Sequence, residues 1–154
     1  MKLLKSLIYM LPLVLMSFIP KQAEPLKWYE WNEGYEKAVK EGKIVLVDAY
    51  TDWCGWCKRM DRDTYSKEEV IKKINQHFIP IKFNPEELDK TYKIGTETYS
   101  AQQLYYMLTH GSPTGFPTVY YIFPKKMSIT IDPGYKGPQD FLQALDTAIA
   151  TSVK

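Results

Sequence analysis

The chain holds only two cysteines in 154 residues. A single pair excludes a multi-disulfide scaffold and cannot by itself supply the four ligands a structural zinc usually takes. No apolar run reaches the roughly 20 residues that span a bilayer; the longest, over 7–19, is broken by Pro12 and Ser17. Internal repeats, low-complexity tracts, interdomain linkers and a glycine-rich nucleotide-binding motif are all missing. Excess charge is missing too. The formal net charge of +2 comes with Lys2 and Lys5 at the start, and from residue 21 onward 18 basic residues meet 18 acidic ones. That balance gives no electrostatic case for binding nucleic acid or an anionic membrane.

What is present suits one domain, since this length with 45% hydrophobic residues builds a real core. The first residues stand apart from it. A short basic start, an apolar run and the polar stretch Lys21-Gln22-Ala23-Glu24-Pro25 read as a secretory signal over 1–20, a short linker over 21–26 and a domain over 27–154. An uncleaved amino-terminal anchor is the alternative. The protein is therefore expected outside the cytoplasm, in the periplasm if the cell has an outer membrane.

Both cysteines fall in Trp53-Cys54-Gly55-Trp56-Cys57-Lys58, just after the apolar run Ile44-Val45-Leu46-Val47. A strand feeding a C-x-x-C that opens a helix suits reversible dithiol–disulfide chemistry. Helix-start amides favour the thiolate of Cys54, with Cys57 within reach to close a small ring. A purely structural disulfide is a weak alternative, because so short a loop takes little entropy from the unfolded chain. Zinc would have to recruit His77 and His110, each placed where a solvated helix-end histidine is the ordinary explanation. Lys58 after Cys57 excludes haem attachment through C-x-x-C-H.

Along the chain, Trp28, Trp31, Tyr35, Ala38 and Val39 recur at helical spacing up to Gly42, with Gly34 as a weak point. Residues 43–50 read as a central strand buried on both faces, interrupted by Asp48. A helix is expected over 54–62, and Ser66-Lys67-Glu68-Glu69 matches a capping box for another, with Val70, Ile71, Ile74 and Phe78 inward. A second strand over 78–83 leads to an ambiguous stretch over 86–99, read as a loop with a short strand pair around Gly95. Ser100 caps a helix carrying Leu104, Tyr105 and Leu108. Strands over 118–123 and 127–131 flank a turn, and Pro138 opens a last helix with Phe141, Leu142, Leu145 and Ile149 inward. The expected order is α, β, α, β, α, β, β, α, an α/β domain with a mixed sheet flanked by helices on both faces.

That order, joined to the C-x-x-C and to Gly115-Phe116-Pro117-Thr118, resembles the thioredoxin fold with an added amino-terminal helix. The resemblance covers most of 27–150. Within the superfamily it is most similar to exported proteins of the SoxW type and to the carboxy-terminal domain of the Dsb membrane thiol–disulfide transporter. Residues 60–65 and the closing Pro133-Gly134-Tyr135-Lys136-Gly137-Pro138 support that placement.

The resemblance implies a thiol–disulfide oxidoreductase. Cys54 matches the nucleophile that forms a mixed disulfide, and Cys57 the resolving thiol. Asp48 matches a buried carboxylate that accepts the resolving thiol's proton. Lys82 matches a lysine beside that carboxylate, although it reads equally as a snorkelling lysine. Pro117 matches the cis-proline facing the cysteines, next to which Phe116 and Thr118 would bind an extended substrate segment by strand addition, with Trp53 and Trp56 beside the site. Trp56 stands where thioredoxins proper carry proline, so their reduction potential does not transfer. The connection over 84–117 is longer than theirs, and its Tyr92, Tyr99, Tyr105 and Tyr106 are placed neither in core nor in groove.

The implied activity is reduction of protein disulfides, with electrons from a membrane or exported donor and no bound cofactor. Partners are then protein thiols and disulfides, not nucleic acid, and the membrane only through an uncleaved amino terminus. Two rivals share the fold: an oxidase or isomerase, and a non-catalytic module holding a peptide or copper. Asp61, Arg62 and Asp63 read as a solvated helix end, and Tyr120 and Tyr121 as sheet residues.

Overall fold

A computed structural model describes residues 25–153. The signal-segment expectation, and most of the linker, lie outside the described residues.

The continuous apolar run becomes the central strand β1 (Ile44–Ala49), buried at every position. It pairs in parallel with β2 (Phe78–Phe83) and antiparallel with β5 (Thr118–Phe123), which pairs antiparallel with β6 (Ser128–Pro133). The sheet order is β2-β1-β5-β6. Strand alternation then sorts the side chains into two cores. Val45, Val47 and Ala49 face α1 (Trp31–Glu41) and α4 (Ala101–Leu108). Ile44 and Leu46 face α2 (Gly55–Asp63), α3 (Glu68–His77) and α5 (Pro138–Val153). By parity Asp48 follows Leu46, and Lys82 follows Phe78 and Pro80, onto that second face. Tyr120 and Tyr121, both buried, take opposite sides.

The ambiguous stretch folds as a separate hairpin, β3 (Thr91–Ile94) with β4 (Glu97–Ser100). It is tied to α1: Trp31 Nε1 donates to the Lys93 carbonyl at 3.0 Å, and Asn32 Oδ1 accepts from the Lys93 N–H at 2.7 Å. Tyr92 is core, edge-on to Trp31 and Phe83. Tyr105 and Tyr99 are half-buried, while Tyr106 is exposed. Ser100 caps α4 in a full capping box with Gln103.

Three expectations need correction. The expected order counts one helix between β1 and β2, whereas both helical stretches read there form separately: α2 ends at Asp63 and the chain turns before α3 begins at Glu68. The capping box at Ser66 does not form: Ser66 Oγ donates back to the Arg62 carbonyl at 2.6 Å, and Lys67 occupies the cap without a side-chain bond. Trp28 precedes α1 and belongs to the other core, its ring 4.9 Å from that of Tyr65. Tyr29 breaks the helical run by bridging to Ile81, its N–H donating to the Pro80 carbonyl. Among the described residues, no helix is long and apolar enough to cross a membrane.

Candidate active site

β1 delivers the chain to the amino end of α2, where Cys54 is the cap residue. Its N–H is held by the Thr51 carbonyl at 3.1 Å, and its Sγ accepts the Cys57 N–H at 3.1 Å. Thus an unpaired first-turn amide, with the helix dipole behind it, points at the sulfur that would carry negative charge. Cys54 and Cys57 form a disulfide with Cα atoms 5.3 Å apart, and both residues are buried to within a few per cent.

Two aromatic groups flank the pair. Trp53 is 68% exposed, with its ring edge-on to Phe116 and its Nε1 donating to Glu86 Oε1 at 3.1 Å. Phe116 in turn stacks on Tyr105, whose hydroxyl donates to the Thr114 carbonyl. On the other side Trp56, 55% exposed, packs against Tyr135, and the Arg59 guanidinium lies 5.1 Å from one ring and 5.4 Å from the other. The Phe116–Pro117 bond is cis. Thr118 does not offer its side chain to this surface. It is fully buried, with its hydroxyl donating to the Gly115 carbonyl at 2.7 Å, and so it shapes the loop from inside.

Beneath the cysteine-bearing end lies a buried ion pair. Asp48, 1% exposed, takes Lys82 Nζ on its Oδ2 at 2.5 Å. The same ammonium reaches Asp61 Oδ1 at 2.6 Å and sits 4.6 Å over Trp28, with Tyr50 and Tyr65 at 5.2 and 5.3 Å. Burial pushes the Asp48 carboxyl above the ordinary carboxylate range, and Lys82 only partly opposes it. Burial alone would lower Lys82; the two carboxylates outweigh it and hold the ammonium above its usual value. A buried carboxyl raised in this way takes up a proton more readily than a solvated one.

The structure therefore brings Cys54, Cys57, Trp53, Trp56, Phe116 and Pro117 to one end of the sheet, with the Asp48–Lys82 pair beside α2. It adds residues the sequence reading passed over. Asp61 is not merely a solvated helix end but Lys82's second partner; its position one turn beyond Cys57 on the same helix was the available signal. Tyr65, Glu86, Arg59 and Tyr135 carried no comparable signal, because tertiary contacts alone bring them in. Among the described residues, no three His, Cys, Asp or Glu side chains converge on a metal-sized site.

The family model Thioredox_DsbH, described as "Protein of unknown function, DUF255", matches residues 16–146. Spermatogenesis-associated protein 20 of Mus musculus is 33% identical over 72 residues, which is 44% of this chain and 9% of the mouse protein. The chain thus spans under a tenth of that relative's length. A thioredoxin from Thermus thermophilus superposes with TM-score 0.65 at 19% identity, covering 84% of this chain and 91% of its own. The carboxy-terminal domain of Neisseria meningitidis DsbD, in its oxidised form, gives TM-score 0.55 at 22% identity over 75% and 90% of the two chains. These likenesses establish the fold.

Proposed function

The chain belongs to the Thioredox_DsbH family and has a thioredoxin-like fold, and from that premise we propose that it is a thiol–disulfide oxidoreductase that reduces protein disulfides outside the cytoplasm. The observation that carries the chemistry is the placement of Cys54 Sγ on the Cys57 N–H, a first-turn amide of α2.

In the reduced protein the Cys54 thiolate attacks one sulfur of a substrate disulfide. The substrate S–S bond breaks, a Cys54–substrate bond forms, and the first substrate sulfur leaves as a thiolate that picks up a proton. Cys57 gives its proton to Asp48, and its thiolate attacks Cys54 Sγ. The second substrate sulfur leaves, the Cys54–Cys57 disulfide forms, and two electrons have passed to the substrate. The cycle closes when an exported or membrane-bound dithiol reduces Cys54–Cys57. The cysteine pair is the redox group, so no bound cofactor is proposed. The substrate backbone would add alongside Phe116 and Pro117, between Trp53 and Trp56, as an extended strand.

The test is the reduction potential of the Cys54–Cys57 pair in thiol buffers, joined to trapping with Cys57→Ser. A potential near about −270 mV, with Cys57→Ser accumulating mixed disulfides, supports a reductase. A value of about −120 to −180 mV moves the assignment to an oxidase or isomerase. A pair that resists reduction, or reduced protein that sequesters copper and turns over no disulfide, overturns the enzyme.

A further inference from the structure

Asp48 has one oxygen left over. Lys82 takes Oδ2, while Oδ1 is buried with no hydrogen-bond partner. Tyr65 Oη is also buried without a partner. The two groups are neighbours: Lys82 Nζ, bonded to Asp48, lies 5.3 Å from the Tyr65 ring, and carboxylate and phenol act on each other by charge and by an incipient hydrogen bond. They come from different parts of the chain. Asp48 is on β1, whereas Tyr65 follows α2, its N–H held by the Met60 carbonyl at 3.0 Å. Its ring is fixed edge-on between Trp28, at 4.9 Å, and Phe141, at 5.3 Å. Two buried polar atoms placed together without a well-formed bond are costly unless their pairing matters in another protonation state.

The chemistry of the two neighbours differs. An ammonium only donates, so Lys82 can stabilise only the charged carboxylate. A phenol hydroxyl donates and accepts. Resting on the reading of Asp48 as acceptor of the Cys57 proton, we propose that Tyr65 is a positioning residue that completes this proton site: its hydroxyl donates to Oδ1 of the carboxylate and accepts from Oδ1–H of the acid. Other titratable groups facing the pair are Lys82 from β2, Asp61 from α2 and Tyr121 from β5. Asp61 and Lys82 set the surrounding charge, and the Tyr121 hydroxyl is directed to Asp132 Oδ2 at 3.5 Å; Tyr65 is left to serve both protonation states of Asp48 without changing its own charge.

Tyr65→Phe removes the hydroxyl and keeps the ring against Trp28 and Phe141. The measurement is the protonation midpoint of Asp48 in the reduced full-length protein, read from its carboxyl infrared band or carbon NMR shift and assigned with Asp48→Asn. Donation to the charged form is the stronger of the two bonds. Its loss is therefore expected to raise the midpoint by about one pH unit, a tenfold change in proton occupancy at fixed pH. A midpoint unmoved by Tyr65→Phe overturns the proposal. In the unmutated protein the Tyr65 Cζ shift is expected to titrate with Asp48, and a flat Cζ shift overturns the proposal without any variant. A Tyr65-linked midpoint with a Cys57 step indifferent to Asp48→Asn would retain this contact and sink the acceptor role instead.

Discussion

Asp48 and Lys82 stand in register across the parallel β1–β2 pair, so the sheet itself sets the 2.5 Å contact between Oδ2 and Nζ. Two flexible side chains brought together by loops would lose more freedom in making it. The pair is thereby fixed on the face that carries α2 and its cysteines.

This burial makes stability depend on pH in a definite direction. The folded-state pKa of Asp48 is raised, so the folded protein binds its proton more tightly than the unfolded chain does. Its contribution is fully present below the unfolded value of about 3.9, and it is lost as pH rises through the raised folded value. Asp48→Asn should abolish that slope. It also leaves Lys82 with Asp61 alone, a constant offset, so the slope of the unfolding midpoint against pH is the quantity to compare. Equal slopes in the two proteins would mean that Asp48 is not raised.

Lys82 and Asp61 should move the acidic limb of the pH–rate profile in opposite directions. Lys82→Met removes the cation nearest Asp48 and should raise its midpoint by about 1–3 units, the usual effect of a neighbouring opposite charge. Asp61→Asn removes a negative charge and frees Lys82 to pair with Asp48 alone, which should lower the midpoint by less. Single-turnover resolution of a mixed disulfide against pH distinguishes them. Shifts of the same sign would show that losing Asp61 displaces Lys82 from Asp48 instead of freeing it to pair there.

Trp53 is held by Glu86 on one side and Phe116 on the other, yet most of its surface is open to solvent. Trp53→Ala should leave stability within about 0.5 kcal/mol, as for other exposed positions. If Trp53 covers the substrate, KM for a protein disulfide should rise about fivefold or more, equivalent to about 1 kcal/mol of lost contact. The rate with a small aromatic disulfide should not change. Equal losses on both substrates would place its role in the cysteine chemistry.

Much of the fold was legible because it rests on local signals. Apolar runs marked β1, β2 and β5, Ser100 marked the start of α4, and Pro138 marked α5. The cysteines and Pro117 were legible through their motifs. What escaped depended on the third dimension. Ser66 had the pattern of a cap, but the Arg62 carbonyl was nearer than the α3 amides. Thr118 adjoined the loop in sequence, yet strand alternation turned its side chain inward. Asp61 looked solvated until β2 brought Lys82 beneath it.

Gly34 is the clearest case of a residue whose meaning changes once its neighbours are known. It sits mid-helix in α1, where glycine costs about 1 kcal/mol relative to alanine, so Gly34→Ala would ordinarily stabilise. Here a Cβ would lie 2.7 Å from Ile81 Cγ1, 2.9 Å from Ile81 Cδ1 and 2.9 Å from Tyr29 Cβ. Ile81 is fully buried among the residues of the first core, and Tyr29 is tied to the Pro80 carbonyl, so neither moves freely. Overpacking of this kind costs about 1–3 kcal/mol, and with three contacts under 3.0 Å to atoms held in place the upper part of that range applies, above the helical gain. Gly34→Ala should therefore lower the urea midpoint, with a net loss of up to about 2 kcal/mol. Lys82 projects from the opposite face of β2, so the Cys54–Cys57 reduction potential should stay where it was. A higher urea midpoint would mean that Ile81 repacks at little cost and that α1 approaches the sheet less rigidly than this contact requires.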